Sequence, residues 1–190
     1  MRKTLILFIV FILLLSGCVK EETMYIKPFM LAEEDINNML ERNGGIFEYY
    51  IDSSIKMITL RGIKYEENTE PEVIFNYRTA FNSDFSGRTS RFIFQISKDN
   101  GNVSVLTVNA TAEAIIDKMK SYRLHSISLI NEEINIIPDT AIPLHVMPRL
   151  SEKNQYFDPE SFINNPEIAE QYSPIIVFSI TFHSYIPEEE

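Results

Sequence analysis

The chain has no tryptophan, one cysteine and three histidines among its 190 residues. A single cysteine cannot close an internal disulfide, so a fold built from this chain must rest on its apolar core. The same count excludes a cysteine-ligated zinc site and an iron–sulfur cluster. His125, His145 and His183 lie far apart in sequence, so a metal or general-base site would have to be assembled by folding. Each reads first as a surface or edge histidine. Basic residues are also short: 17 Lys and Arg stand against 27 Asp and Glu, a formal charge of −10. Nucleic acid is disfavoured as a partner, because phosphate binding needs a basic patch to displace counterions. No G-x-S-x-G, H-E-x-x-H, G-x-x-x-x-G-K-[ST] or G-x-G-x-x-G motif occurs. The adjacent pairs Glu33-Glu34, Glu66-Glu67 and Glu132-Glu133 sit in polar turns or a helix start and read as solvated charge. Catalytic, cofactor and metal residues are therefore all expected to be none.

What the chain does have is an apolar start. Arg2 and Lys3 precede an unbroken run from Leu5 to Leu15, then Ser16-Gly17-Cys18, and charge returns with Lys20-Glu21-Glu22. A positive start, an apolar centre and small residues at the cut form a secretory signal. The run is shorter than the roughly 20 residues a membrane-spanning helix needs. Leu15-Ser16-Gly17-Cys18 resembles the lipobox of bacterial lipoproteins at all four positions. The resemblance implies cleavage before Cys18, a diacylglycerol on its thiol, and a protein held at the cell membrane on the extracytoplasmic side. It transfers location, not activity. The division that follows is a signal peptide at 1–17, a lipidated cysteine and tether at 18–29, and one globular domain at 30–190. An acidic surface repels anionic headgroups, so the lipid has to do the holding.

Residues 30 to 43 predict a helix: Glu33, Glu34 and Asp35 suit its start, Ile36, Met39 and Leu40 form one stripe, and Asn43-Gly44-Gly45 ends it. From Ile46 the period becomes two. Phe47, Tyr49 and Ile51 share a face, as do Ile58 and Leu60, then Phe92, Phe94 and Ile96. Ile63 and Tyr65 have the opposite parity to Ile58 and Leu60, and Gly62 at the changeover predicts a β-bulge. Asn100-Gly101 between alternating runs predicts a hairpin whose return strand, Val103 to Val108, is central. Residues 111 to 120 return to helical spacing through Ile115, Ile116 and Met119. Two short strands flank Asn131-Glu132-Glu133. Six prolines between Pro138 and Pro174 argue against continuous central strands there, and Asp158-Pro159 and Asn165-Pro166 predict short helical turns. In the last strand Ile176, Phe178, Ile180 and Phe182 face inwards while Ser179, Thr181 and His183 face out.

The fold class expected is mainly β: an antiparallel β-sandwich with an N-terminal helix and short helical turns. It is similar in outline to immunoglobulin-like domains of exported bacterial proteins, without their Cys…Trp…Cys hallmark. An α+β two-layer fold is the alternative. The aromatic residues lie mostly at core parity, with Tyr50 and Tyr65 as exceptions that could present a stacking surface. Function reads as non-catalytic binding by a lipid-anchored domain, against an envelope hydrolase without a recognisable motif or a purely structural lipoprotein. Partner contact is expected in the Pro-rich stretch 138–174, through Arg149 and Tyr156, because long irregular segments carry binding more often than the scaffold does.

Overall fold

The computed structural model describes residues 23–30, 44–81, 87–96, 127–148, 158 and 172–186, and gives Arg88, 102–107 and 111–115 as backbone. The alternating runs become strands because each has one face to bury. In chain order these are β1 (Tyr25–Pro28), β2 (Gly44–Ile51), β3 (Met57–Tyr65), β4 (Glu72–Ala80), β5 (Arg88–Ile96), β6 (Asn102–Thr107), β7 (Thr111–Ile115), β8 (Ile127–Ser128), β9 (Ile134–Asn135), β10 (Ala141–Pro148) and β11 (Ile175–His183). They form two sheets, ordered β7-β6-β5-β2-β1-β9 and β4-β3-β11-β10-β8. The pairings are antiparallel throughout.

The sheets pack face to face as a β-sandwich. Phe47, Phe92 and Phe94 of the first sheet share one buried cluster with Leu60, Phe178, Ile180 and Phe182 of the second. Phe94 meets Phe178 across the layers with ring centroids 4.9 Å apart, and Tyr49 meets Phe182 at 5.6 Å. Burying each such side chain is worth roughly 1.5–3 kcal/mol. This inter-sheet core makes the sandwich, and not the α+β layer, the right class. The bulge at Gly62 is present: β3 and β4 shift register between Gly62 and Ile63. A Cβ on Gly62 would stand 2.6 Å from the Phe178 ring, so the glycine also makes room for the core. Strand β6 lies between β5 and β7, central as its two apolar faces require.

Four expectations are corrected. Tyr25–Pro28, assigned to the tether, is an interior strand: Ile26 pairs with Tyr49 on one side and Ile134 on the other, and is fully buried. Gly44 and Gly45, expected as a left-handed stop, are extended residues that open β2 opposite Gln95 and Phe94. Thr111–Ile115 is strand β7, not helix, because β6 offers it an open edge from Asn102 to Leu106. The prolines do not keep β10 out of the sheet interior. Pro143 lies at a register shift on the β11 side, and β8 pairs only from His145 onward, so its missing N–H leaves no ladder position empty. The predicted helix at 30–43 and the turn at 165–166 lie outside the described residues beyond their ends, and Asp158 is irregular.

The strand directions define two ends. The chain enters at Met24, beside Asp52–Met57, Asn135–Ala141 and His183–Ile186; this is the proximal end. The distal end holds Pro28, Gly44, Tyr65–Glu72, Ile96, Pro148 and Ile175.

Candidate functional site

Towards the distal end, on the β1 and β8 side, the layers part around a cavity of about 430 Å³. Its described wall is Pro28, Phe29, Met30, Gly44, Gly45, Ile46, Phe47, Ser128, Ile130 and Asn131. Two glycines on one wall are the local cause. Gly45 points inwards by register with Phe94, and its absent side chain leaves space between the sheets. Gly44 serves contact instead: a Cβ there would fall 1.9 Å from the Phe94 carbonyl oxygen, so no larger residue fits this strand pair. Phe29 is fixed from behind. The Arg91 guanidinium lies 3.6 Å from its ring centroid and donates to Glu48 from Nε at 3.0 Å and from a terminal nitrogen at 2.8 Å. Lys27 bridges Glu48 and Glu133 at 3.6 and 3.4 Å, which ties β1 to the segment below the cavity.

Behind the glycine wall sits His145, which is fully buried. The expectation of a surface or edge histidine is wrong here, because the bulge between Pro143 and His145 puts both Leu144 and His145 inside. Its ring lies 5.5 Å from that of Phe94 and meets Phe47 edge-on at 6.1 Å. A Cβ on Gly45 would reach within 3.6 Å of His145 Nε2, so the imidazole edge stands about one methyl group behind the cavity surface. Burial pushes the His145 pKa down to about 4, which keeps it neutral at neutral pH. The described lining itself offers the polar side chains of Ser128 and Asn131 and no titratable group.

A second constellation lies on the outer face of the other sheet. His183 Nε2 is 2.9 Å from Thr59 Oγ1, and Nδ1 is 3.5 Å from Asp139 Oδ1. Asp139 also accepts from the Ser184 backbone N–H at 3.1 Å and from its hydroxyl. Those Ser184 bonds hold the Asp139 carboxyl below the usual range. Burial lowers the His183 pKa, Arg78 and Arg61 push the same way, and Asp139 opposes them. Carboxylate, imidazole and hydroxyl in a row can in principle activate a nucleophile. Here Thr59 is only 4% exposed, and β3 is paired on both sides, so its backbone N–H groups are committed to ladders and form no oxyanion hole. The row is better understood as a clamp between the 137–140 turn and the end of β11.

Of the residues singled out in sequence, Cys18, His125, Arg149 and Tyr156 lie outside the described residues. The described residues that bracket Arg149 and Tyr156 in sequence are Pro148 and Asp158, and Pro148 pairs with Ile175 at the distal end. Tyr65 is exposed there, while Tyr50 stacks on Tyr25 at 6.1 Å and is half-buried on the outer face of the first sheet. Among the described residues no three of His, Cys, Asp or Glu are grouped to hold a metal. No family model matches the chain, and no curated protein or solved structure resembles it. The cavity residues were not anticipated from sequence. The one available signal was Gly44-Gly45, since paired glycines at a strand start mark close approach or missing volume.

Proposed function

We propose that this chain is a lipid-anchored domain on the extracytoplasmic side of a bacterial cell membrane, and that it binds a partner without catalysing a reaction. The cavity carries this reading. It is mostly apolar, its two polar side chains are neutral, and no acid or base on its described wall stands ready to activate the Ser128 hydroxyl, which donates to the Ile130 carbonyl. It also lies towards the end of the sandwich away from Met24. Within the Pro-rich stretch 138–174, Pro148 pairs with Ile175 at that same end. Arg149 and Tyr156 remain the proposed partner contacts, with the cavity as the pocket for an anchoring side chain.

Two experiments test the reading in its two halves. Cys18→Ser should leave an unlipidated precursor that partitions into the aqueous phase of a detergent extraction; partitioning like the wild type would remove the anchor. A photoreactive amino acid at Met30 should cross-link a partner in intact cells, and one at Tyr185 should not capture that same partner. Capture at Tyr185 alone would move the binding surface elsewhere. The hydrolase reading draws on the Asp139, His183 and Thr59 row, and Thr59→Val with unchanged stability but lost turnover on an envelope substrate would favour it.

A further inference from the structure

Three large apolar side chains stand exposed together at the proximal end. Ile137 is 64% exposed, Tyr185 57% and Ile186 65%. They belong to two segments bound to each other: the Asp139 N–H donates to the Phe182 carbonyl at 2.8 Å, and Ser184 caps Asp139. Leaving such groups in water is unfavourable, and a cluster of them marks a contact surface. The position of the chain start identifies the contact. Ile136, next to Ile137, donates its N–H to the Met24 carbonyl at 2.9 Å, and Tyr25 pairs with Asn135. Cys18 is six residues before Met24, a span of at most about 20 Å when fully extended.

We infer that the proximal end rests on the lipid bilayer, with Ile137, Tyr185 and Ile186 entering the headgroup and upper acyl region. This rests on the lipid anchor at Cys18 proposed above. A tether that short holds the exposed apolar end within reach of the membrane and points the distal cavity away from it. Tyrosine suits this depth, having an apolar body and a polar tip. Arg78 faces outwards from β4 opposite Thr59, two positions from the Met57 end of the sheet, and adds a positive group suited to lipid phosphates.

The test uses the full lipidated chain, in which an introduced cysteine is the only free thiol once Cys18 is acylated. Ile137→Cys, Ile186→Cys and, as a distal control, Glu67→Cys are each labelled with an environment-sensitive fluorophore. The proteins are then reconstituted in phosphatidylethanolamine and phosphatidylglycerol vesicles. The expected result is a blue shift and quenching by lipid-borne nitroxide at 137 and 186, with neither at 67. Adding Tyr185→Ser to the Ile137→Cys protein should reduce that quenching. If mass spectrometry shows acylated Cys18 yet the labels at 137 and 186 behave like the one at 67, the seating is wrong and the anchor stands. If Cys18 carries no lipid, the anchor reading fails and this inference falls with it.

Discussion

The two ends of the sandwich are closed in different ways. At the proximal end the described crossings are short and bonded. Lys56 donates to the His183 carbonyl, Phe81 to Lys56, Gly87 to Ile51, and Asp139 to Phe182, all at 2.7–2.9 Å. These bonds link β2, β3, β4, β5 and β11 into one rim. At the distal end the layers separate around Gly44, Gly45 and Ser128, and the space is a cavity instead of packed side chains. Protein interiors tolerate few voids larger than a water molecule, so an opening this size at the end opposite the bonded rim sets the two ends apart. One end maintains the relative position of the sheets, and the other can be occupied.

The largest expected effect is common to both ends. Phe178 is fully buried, touches Phe94 and Phe75 across and within the sheets, and sits over Gly62. Phe178→Ala should cost about 4 kcal/mol in denaturant unfolding. Amide exchange should show both rims opening together in this variant. If only the distal strands lost protection, the ends would be separate cooperative units and the contrast between them would be sharper than drawn here.

Next comes acid. The His145 pKa falls from 6.5 in the unfolded chain to about 4 in the folded one. Between those values the unfolded state binds the extra proton, so stability is full above about pH 6.5 and is lost as pH falls towards 4. The total is on the order of 3 kcal/mol, at about 1.4 kcal/mol per pKa unit. His145→Leu should flatten this limb of the stability profile. An equally steep limb in that variant would place the acid sensitivity elsewhere, and His183, with its own lowered pKa, would be the next group to replace.

How much of this was legible in sequence depends on what fixes each feature. Period-two alternation over seven to nine residues is set by one buried face, and β2, β3, β5 and β11 follow it. The Gly62 bulge was legible because the parity of apolar residues changes there. Five residues do not separate the two periods, and Thr111–Ile115 became a strand because an open neighbour was present. Strand β1 has four residues and partners about 20 and 110 positions away, which local pattern does not encode. His145 was read as a surface or edge histidine in a Pro-rich segment, and the bulge that turns it inwards leaves no mark on the local pattern. The cavity draws on residues near 28, 44 and 128, so only the fold brings it together.

A smaller effect probes the proximal rim. Asp139 takes two hydrogen bonds from Ser184 and has a left-handed backbone, φ 62°. Asp139→Ala loses the bonds and keeps an unfavourable backbone, and should cost about 1–2 kcal/mol. Asp139→Gly loses the same bonds but relieves the backbone, so it should cost less. Equal losses in the two variants would mean the left-handed turn does not persist once the cap is gone.

The smallest effect is expected at the glycine wall of the distal cavity. A Cβ on Gly45 would lie 3.1 Å from the Cε2 and Cζ atoms of Phe47, which is tight but directed at the far edge of a ring. The ring can yield by a few tenths of an ångström, and the strand gains from alanine by stiffening the unfolded chain, worth about 0.4–1 kcal/mol. These oppose each other, so Gly45→Ala should change unfolding free energy by less than about 1 kcal/mol. Gly44→Ala is the control, because its Cβ would collide with the Phe94 carbonyl and force β2 from β5. The added methyl of Gly45→Ala takes volume from the cavity and covers the edge of His145. An apolar fluorescent dye that reports the cavity should therefore bind more weakly to Gly45→Ala and unchanged to Asp139→Ala. Weaker binding to Asp139→Ala as well would mean that the proximal rim sets the width of the distal opening, and that the two ends are coupled through β10 and β11.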